Sequence, residues 1–380
     1  MRWVVILRIR ILALLLAVAV SLRYGIPVSA AEPTVSSLSA VVYEPESGLV
    51  LYEKAGDIPR PMASTTKLMT ALLAAERLNP DTIVSVPAGA LPVEGTQIGL
   101  TAGESISVRD LLAGLLLASG NDAANALALL MAEDIPAFAA LMNQRAAELG
   151  MNHSTFVTPS GLDAGEHSAS AYDMALLGAA VLEQPLLAEL CGSKSVTVTL
   201  DGRRITLTNH NKLLNLLEDC IGLKTGFTKK SGRCLVSAVR RDGVTLIVAT
   251  LNGGDDWNDH IALYDYGFSC VKRINLTPEV PQDTAVCGGV THRVALSAAL
   301  PDSVVVQTGE TVHTRVELPR FVWAPVAAGA VLGRITVSAG DRVLCTVPIT
   351  ATHGVTPCPT LSYGQLVRRR YSRLFECLLS

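Results

Sequence analysis

Two hairpin signatures stand at opposite ends of a largely helical stretch, and this arrangement constrains the fold more than any other feature. "SAVVYEPESGLVLYEK" (39–54) is a pair of alternating runs around a Pro-Glu-Ser-Gly turn. Much later, "GLKTGFT" (222–228) reads as a strand, and "LVSAVRRDGVTLIVATLNG" (235–253) as a hairpin folded at Asp-Gly. Between them, "MASTTKLMTALL" (62–73) and "VRDLLAGLLLASGNDAANALALLMA" (108–132) are apolar runs patterned as helices. "KSVTVTLDGRRITLTN" (194–209) adds a further hairpin, and "DDWNDHIALYDYGF" (255–268) closes the region as a helix capped by an aspartate. Strands supplied by both ends pair most simply in one antiparallel sheet with helices against it. This is an α+β architecture.

The texture changes near residue 276. "TPEVPQ" breaks the chain, and short β-type runs with Gly and Pro turns continue to residue 357, which predicts a small all-β domain over 276–357 after a larger domain over 32–275. With 380 residues, 49% hydrophobic and 17% charged, the chain has material for two globular domains. Residues 1–31 read as an export signal. Arg2, Arg8 and Arg10 precede an apolar run from Ile11 to Val20, and "VSAAEP" offers cleavage after Ala30 or Ala31; a retained anchor is the alternative.

Removing that leader leaves 27 basic against 34 acidic residues, a net charge of −7, and the basic residues are unevenly placed. Residues 358–380 form a tail in which Arg368, Arg369, Arg370 and Arg373 flank an apolar stripe of Val367, Tyr371, Leu374 and Leu378 at helical spacing. Such a segment suits an anionic membrane surface, or packs on the protein's own body. No nucleic-acid partner is implied. Eight cysteines without C-x-x-C spacing read mostly as small buried hydrophobes, with Cys287–Cys345 the one pairing worth testing. The histidines lack metal-ligand spacing; His153, His167, His210 and His260 read as loop or surface residues, and neither a metal nor a cofactor is implied.

Three short motifs remain. Ser64 and Lys67 lie three apart at the start of an apolar helix, so they share a face and can touch. A nucleophile beside its base is one reading; an N-cap serine followed by a solvated lysine is the other. Ser-x-x-Lys is expected roughly once by chance in a chain this long, and a second copy, Ser269 to Lys272, has no partner motifs downstream. Ser119-Gly120-Asn121 interrupts the second apolar run, and Lys224-Thr225-Gly226 sits on a predicted strand. Their order, and their placement at a helix start, a helix break and a strand, make coincidence improbable.

Together these motifs resemble those of the serine-type D-Ala-D-Ala carboxypeptidases, the low-molecular-weight penicillin-binding proteins. "VVYEPESGLVLYEK", "TPSGLD" followed by "SASAYDMALL", and "AAGAVLGRITV" are similar to family segments, so the likeness spans nearly the whole chain after the leader. The resemblance implies a β-lactamase/transpeptidase-like domain with a helical subdomain, followed by a β domain and a membrane-associating tail. It also implies an extracytoplasmic enzyme that trims the terminal D-alanine from peptidoglycan stem peptides and is acylated by β-lactams.

The chemistry of the residues agrees with that implication. A serine hydroxyl needs a base within hydrogen-bond reach, and Lys67 can serve once it is neutral. Burial and a neighbouring cation both push a lysine pKa down, and Lys224 is the candidate cation. Ser119 is then a proton relay, and Asn121 holds Lys67 and the substrate amide. Lys224 and Thr225 suit recognition of a terminal carboxylate, while Gly226 leaves room for substrate backbone. The resemblance places the oxyanion donors at the backbone N–H groups of Ser64 and Phe227, the latter acting through its backbone only. A β-lactamase is the nearest rival, but no Glu-x-x-x-Asn lies in the stretch expected for it after Ser119-Gly120-Asn121, and Glu166 reads as a solvated loop residue. A D,D-endopeptidase acting on cross-links shares all three motifs.

Overall fold

The computed structural model describes residues 31–277 and 279–359, together with Val367 and Tyr371. The expected leader and basic tail fall almost wholly outside the described residues. The chain divides into two units, Met1–Arg273 with Val305–Thr308, and Ile274–Val304 with Gly309–Ser380.

The first unit begins with the expected hairpin, β1 (Ser39–Glu44) and β2 (Leu49–Lys54). Its turn is tied by the Glu44 carboxylate, which accepts from the amides of Glu46 and Ser47 and from the Ser47 hydroxyl. A 3-10 turn at Ala63–Thr66 leads into α1 (Lys67–Arg77). The minor hairpin of β3 (Ile83–Ser85) and β4 (Ser105–Ser107) precedes α2 (Val108–Leu116), α3 (Asn121–Met131) and α4 (Ile135–Glu148). Then come α5 (Ala171–Leu182), α6 (Pro185–Gly192), the hairpin β5 (Ser195–Leu200) and β6 (Arg203–Thr208), and the short α7 (Leu213–Leu216). Three long strands follow, β7 (Cys220–Thr228), β8 (Gly232–Arg241) and β9 (Val244–Gly253), and α8 (Asp256–Cys270) runs into β10 (Val271–Asn275).

The strands from both ends meet in one antiparallel sheet of order β2-β1-β9-β8-β7. Its alternation sorts side chains onto two buried faces. Val41 and Tyr43 of β1 and Ile247, Ala249 and Leu251 of β9 join the larger core with Leu72 of α1, Leu115 of α2, Leu127 of α3, Phe138 of α4 and Met174 of α5. Ala40, Val42, Leu246 and Val248 face the opposite way, onto Leu263 and Tyr264 of α8. The α+β expectation therefore holds.

Local details differ from it. The helix predicted to open at Ser64 begins at Lys67, because Ala63 takes a left-handed φ of 48° and the Thr65 and Thr66 hydroxyls bind back to the Met62 and Ala63 carbonyls. Asp255 does not cap α8 through its side chain, which instead accepts from Asn258. Asp259, one turn in, accepts from the amides and hydroxyls of Ser36 and Ser37 and so ties the segment before β1 to α8. The second Ser-x-x-Lys is structural, since Ser269 donates to the Tyr266 carbonyl and Lys272 is exposed on β10.

Beyond β10 come β11 (Asp283–Cys287), β12 (Arg293–Ser297), β13 (Ser303–Gln307), β14 (Val312–Glu317), β15 (Phe321–Trp323), β16 (Val331–Ala339) and β17 (Arg342–Ala351), as the all-β expectation required; all but β13, whose residues 305–307 count with the first unit, belong to the second. Six of these strands form one sheet, β14-β16-β17-β12-β11-β15, antiparallel except where β15 joins β11. Val286, Val294, Ile335 and Ile349 fill its core. Cys287 and Cys345 are not bonded, and all seven described cysteines are free. β12 lies between β11 and β17, and two strand spacings come to about 9.6 Å, beyond the reach of a disulfide.

His260, expected near the surface, is fully buried on the α8 face. Its Nδ1 bonds Ser237 Oγ at 2.7 Å, its Nε2 bonds Thr250 Oγ1 at 2.9 Å, and burial pushes its pKa down to about 3. A histidine held neutral in the fold but ordinary when unfolded contributes stability above pH 6.5, and that contribution is lost as pH falls from 6.5 towards 3. Urea unfolding at pH 7.5 and 4.5 checks this. His260→Leu should be less stable at pH 7.5 by about 1–3 kcal/mol, having left the buried Thr250 hydroxyl without its partner and Ser237 with Tyr264 alone, yet lose less than the parent on acidification.

Candidate active site

Ser64 occupies the 3-10 turn that the left-handed Ala63 introduces, and Lys67 is the first residue of α1. One turn brings Lys67 Nζ to 2.8 Å from Ser64 Oγ. The lysine is not solvated: none of it is exposed. Its amine also donates to Asn121 Oδ1 at 2.7 Å and to the Ser160 carbonyl at 2.6 Å. Asn121 cannot offer its nitrogen instead, because Nδ2 donates to the Glu94 carbonyl at 2.7 Å. Two of the three partners are thus pure acceptors. A neutral amine has two N–H groups for them and one lone pair left, which faces the Ser64 hydroxyl.

Ser119 and Asn121 sit where the apolar run breaks between α2 and α3. Ser119 adopts a left-handed φ of 60°, and the Gly120 amide turns back to the Gly114 carbonyl at 3.0 Å, so the break is built rather than frayed. Asp122, fully buried, accepts from the amides of Ile98, Gly99 and Leu100, while the Asn121 amide donates to Thr96. These bonds hold residues 94–100 against the start of α3.

The third motif lies on β7. Lys224 is 1% exposed, with Nζ donating to the Thr225 carbonyl at 3.0 Å. A Cβ on Gly226 would stand 2.9 Å from the Ser64 amide nitrogen, so its missing side chain admits the protein's own 62–65 backbone. The sequence expectation assigned that room to substrate. Ser64, Thr96, Ser119, Thr225, Gly226 and Phe227 line a cleft of about 370 Å³, which continues past His210 and Lys212 to Arg233, Asp256 and Trp257. Lys67, Asn121 and Lys224 are not among its lining residues. Phe227 is 65% exposed and lines the cleft.

Burial governs the charges here. It lowers the Lys67 pKa well below the ordinary lysine value, helped by the charge of Lys224 and opposed by Asp122. Burial also brings Lys224 down to about 8, opposed by Cys191, whose own thiol burial pushes up to about 12. Of the two amines, Lys67 thus has the more strongly lowered pKa.

Comparison with known proteins gives the family. The sequence profile described as D-alanyl-D-alanine carboxypeptidase matches residues 26–255, and the profile of the penicillin-binding protein 5 C-terminal domain matches residues 278–356. This chain belongs to the D-alanyl-D-alanine carboxypeptidase family. The carboxypeptidase DacF of Bacillus subtilis is 28% identical over 82% of this chain and 84% of its own length. DacC of Escherichia coli is 32% identical over 80% of each. Penicillin-binding protein 5 of Haemophilus influenzae superposes with a TM-score of 0.70 at 25% identity, covering 86% of this chain and 99% of its own. The chain is a serine-type hydrolase of this family, with the transpeptidase-like fold and the C-terminal β domain.

Several residues of this carboxypeptidase escaped the motif reading. Gly161, with φ 85°, packs so closely that a Cβ would fall 1.9 Å from the Ala63 oxygen, which explains why "TPSGLD" sits beside the Ser64 turn. His167, expected near the surface, is 5% exposed. Its Nδ1 accepts from the Val157 amide at 2.9 Å, so Nε2 carries the proton and donates to Thr66 Oγ1 at 2.8 Å. Thr66 in turn donates to the Ala63 carbonyl at 2.8 Å. The imidazole thereby clamps the loop bearing Ser160 to the turn bearing Ser64, while burial holds its pKa at about 4. His210, Lys212, Arg233 and Trp257 gave no signal because they reach the cleft from separate elements.

Loss of that clamp should show in catalysis. His167→Ala is expected to lower kcat/KM on a peptide ending in D-Ala-D-Ala by about 10²-fold through misplacement of the turn, whereas His167→Gln, whose amide N–H can still reach Thr66, retains most of it.

Proposed function

We propose that Ser64 is the acyl-accepting nucleophile, Lys67 its general base and Ser119 the proton relay, in removal of the terminal D-alanine from peptidoglycan stem peptides. The observation that carries this is the Lys67 amine at 2.8 Å from Ser64 Oγ, with its other two partners both acceptors. Ser64 Oγ attacks the carbonyl carbon of the penultimate D-alanine, and its proton passes to Lys67 Nζ. The oxyanion so formed is held by the Ser64 and Phe227 backbone N–H groups; the closeness of Gly226 to the Ser64 amide supports that pairing. The C–N bond then breaks, and the proton travels from Lys67 through Ser119 to the departing D-alanine amine. Water attacks the acyl-enzyme by the same base in the reverse sense, returning Ser64 and the shortened peptide.

Asn121 positions Lys67. Thr225 meets the terminal carboxylate directly, and Lys224 acts from behind the cleft wall as fixed positive charge, joined at the rim by Lys212 and Arg233. β-Lactams would acylate the same Ser64. The exposure of Glu166, and a cleft whose only acidic lining residue, Asp256, is paired with Arg233, fit this reading and not a β-lactamase with a carboxylate-activated water. The leader supports export to the peptidoglycan, and the basic apolar tail supports attachment to the outer face of the membrane.

Incubation of the enzyme and Ser64→Ala with a D-Ala-D-Ala peptide tests the assignment: the parent releases one D-alanine per peptide and the variant none. Faster cleavage of a cross-linked stem-peptide dimer than of that peptide would instead make endopeptidase action the principal activity. The two lysines act in opposite protonation states, so kcat/KM should rise as Lys67 loses its proton and fall as Lys224 does, near pH 8. Lys224→Arg, which stays charged, should lower kcat/KM by roughly tenfold through altered packing but abolish the alkaline fall.

A further inference from the structure

The β domain carries an exposed aromatic pair that its core does not use. Phe321 and Trp323 stand two apart on β15, hence on one face of the strand, with rings 5.6 Å apart and edge to face. Trp323 is 71% exposed and Phe321 47%. β15 is the outermost strand of its sheet and only three residues long, and Arg320 beside it is exposed.

The path of the chain adds a second observation. Trp323 lies opposite Cys287 of β11 in parallel register. Immediately beyond Cys287, the Gly288 carbonyl accepts from the Cys358 amide at 2.7 Å and the Val290 amide donates to Thr356 at 2.9 Å. Val290 is itself 55% exposed. At ordinary strand spacings, Cys358 is therefore on the order of 10 Å from Trp323. The residues that follow Cys358 are those of the arginine-rich, apolar-striped tail.

We propose that Phe321, Trp323 and Val290 form a second membrane contact, which seats in the headgroup region of an anionic bilayer beside the tail. This inference rests on the reading of the tail as membrane-associating. Two aromatic rings and a valine offer well under the ~800 Å² per side that a stable protein partner needs, but rings of this kind partition well at the boundary between headgroups and acyl chains. A single weak anchor gives reversible attachment, and a second contact on the same domain from which the tail leaves raises residence without requiring a new high-affinity site.

The test uses the processed full-length chain in a Trp257→Phe background, which leaves Trp323 as the only tryptophan once the leader bearing Trp3 is gone. With phosphatidylglycerol/phosphatidylcholine vesicles, Trp323 emission should shift to the blue and be quenched by brominated lipid. With Trp257 left in place, Phe321→Ser with Trp323→Ser should bind these vesicles about tenfold more weakly than the unaltered chain while releasing D-alanine at that chain's rate, which shows that the variant is folded. Absence of quenching, or vesicle binding by the double variant equal to the parent, overturns the proposal. So does a buried-type emission in lipid-free dilute protein, which would mean that the tail covers the patch, or an emission that varies with protein concentration, which would assign the patch to a second copy. Full-length chain with Arg368, Arg369, Arg370 and Arg373 changed to glutamine separates the two readings. Binding retained there but lost in the aromatic variant removes the tail reading and keeps this one; the converse removes this one alone.

Discussion

A lysine amine withdrawn from water and left between three oxygens is the constraint on which the rest of this molecule depends. Burying an ammonium is costly, so the group gives up its proton more readily than an exposed lysine does. The fold accepts the cost because each polar valence of the neutral amine is answered: by the Asn121 oxygen, by the Ser160 carbonyl and by the Ser64 hydroxyl. Remove any one partner and the amine is either unsatisfied or aimed elsewhere.

Each partner is held by a structure that has little other purpose. The Asn121 amide is oriented by Glu94, and the Ser160 carbonyl is delivered by a loop that packs Gly161 against Ala63 and is clamped through His167 and Thr66. Left-handed backbone at both Ala63 and Ser119 marks where two of the three motifs join their helices. Such conformations persist in non-glycine residues only where the surroundings over-determine them. The two lysines differ in setting. Lys67 is surrounded by acceptors beside Ser64, whereas Lys224 is buried on β7 with its amine donating to the Thr225 carbonyl.

The α+β architecture, the pairing of the terminal hairpins, the all-β second domain and the three motifs were legible in the sequence. All of them rest on short-range regularities: alternation, Asp-Gly turns, helical spacing and the order of motifs. Ser64 and Lys67 are neighbours by helical spacing alone. The free state of Cys287 and Cys345 and the burial of His167 and His260 were not legible, because strand order and the depth of a side chain depend on contacts between residues far apart in the chain.

By itself, then, the sequence determined which chemistry is on offer: a hydroxyl, two amines and an amide at spacings that a helix, a helix break and a strand present. Only the tertiary structure decided their states. It put Lys67 in the dark and Lys224 behind the cleft wall, brought Gly226 against the Ser64 amide, and assembled the far rim from His210, Lys212, Arg233 and Trp257. Protonation and access are set by the dielectric and by neighbours in space, and a linear pattern does not encode either until the chain has closed around them.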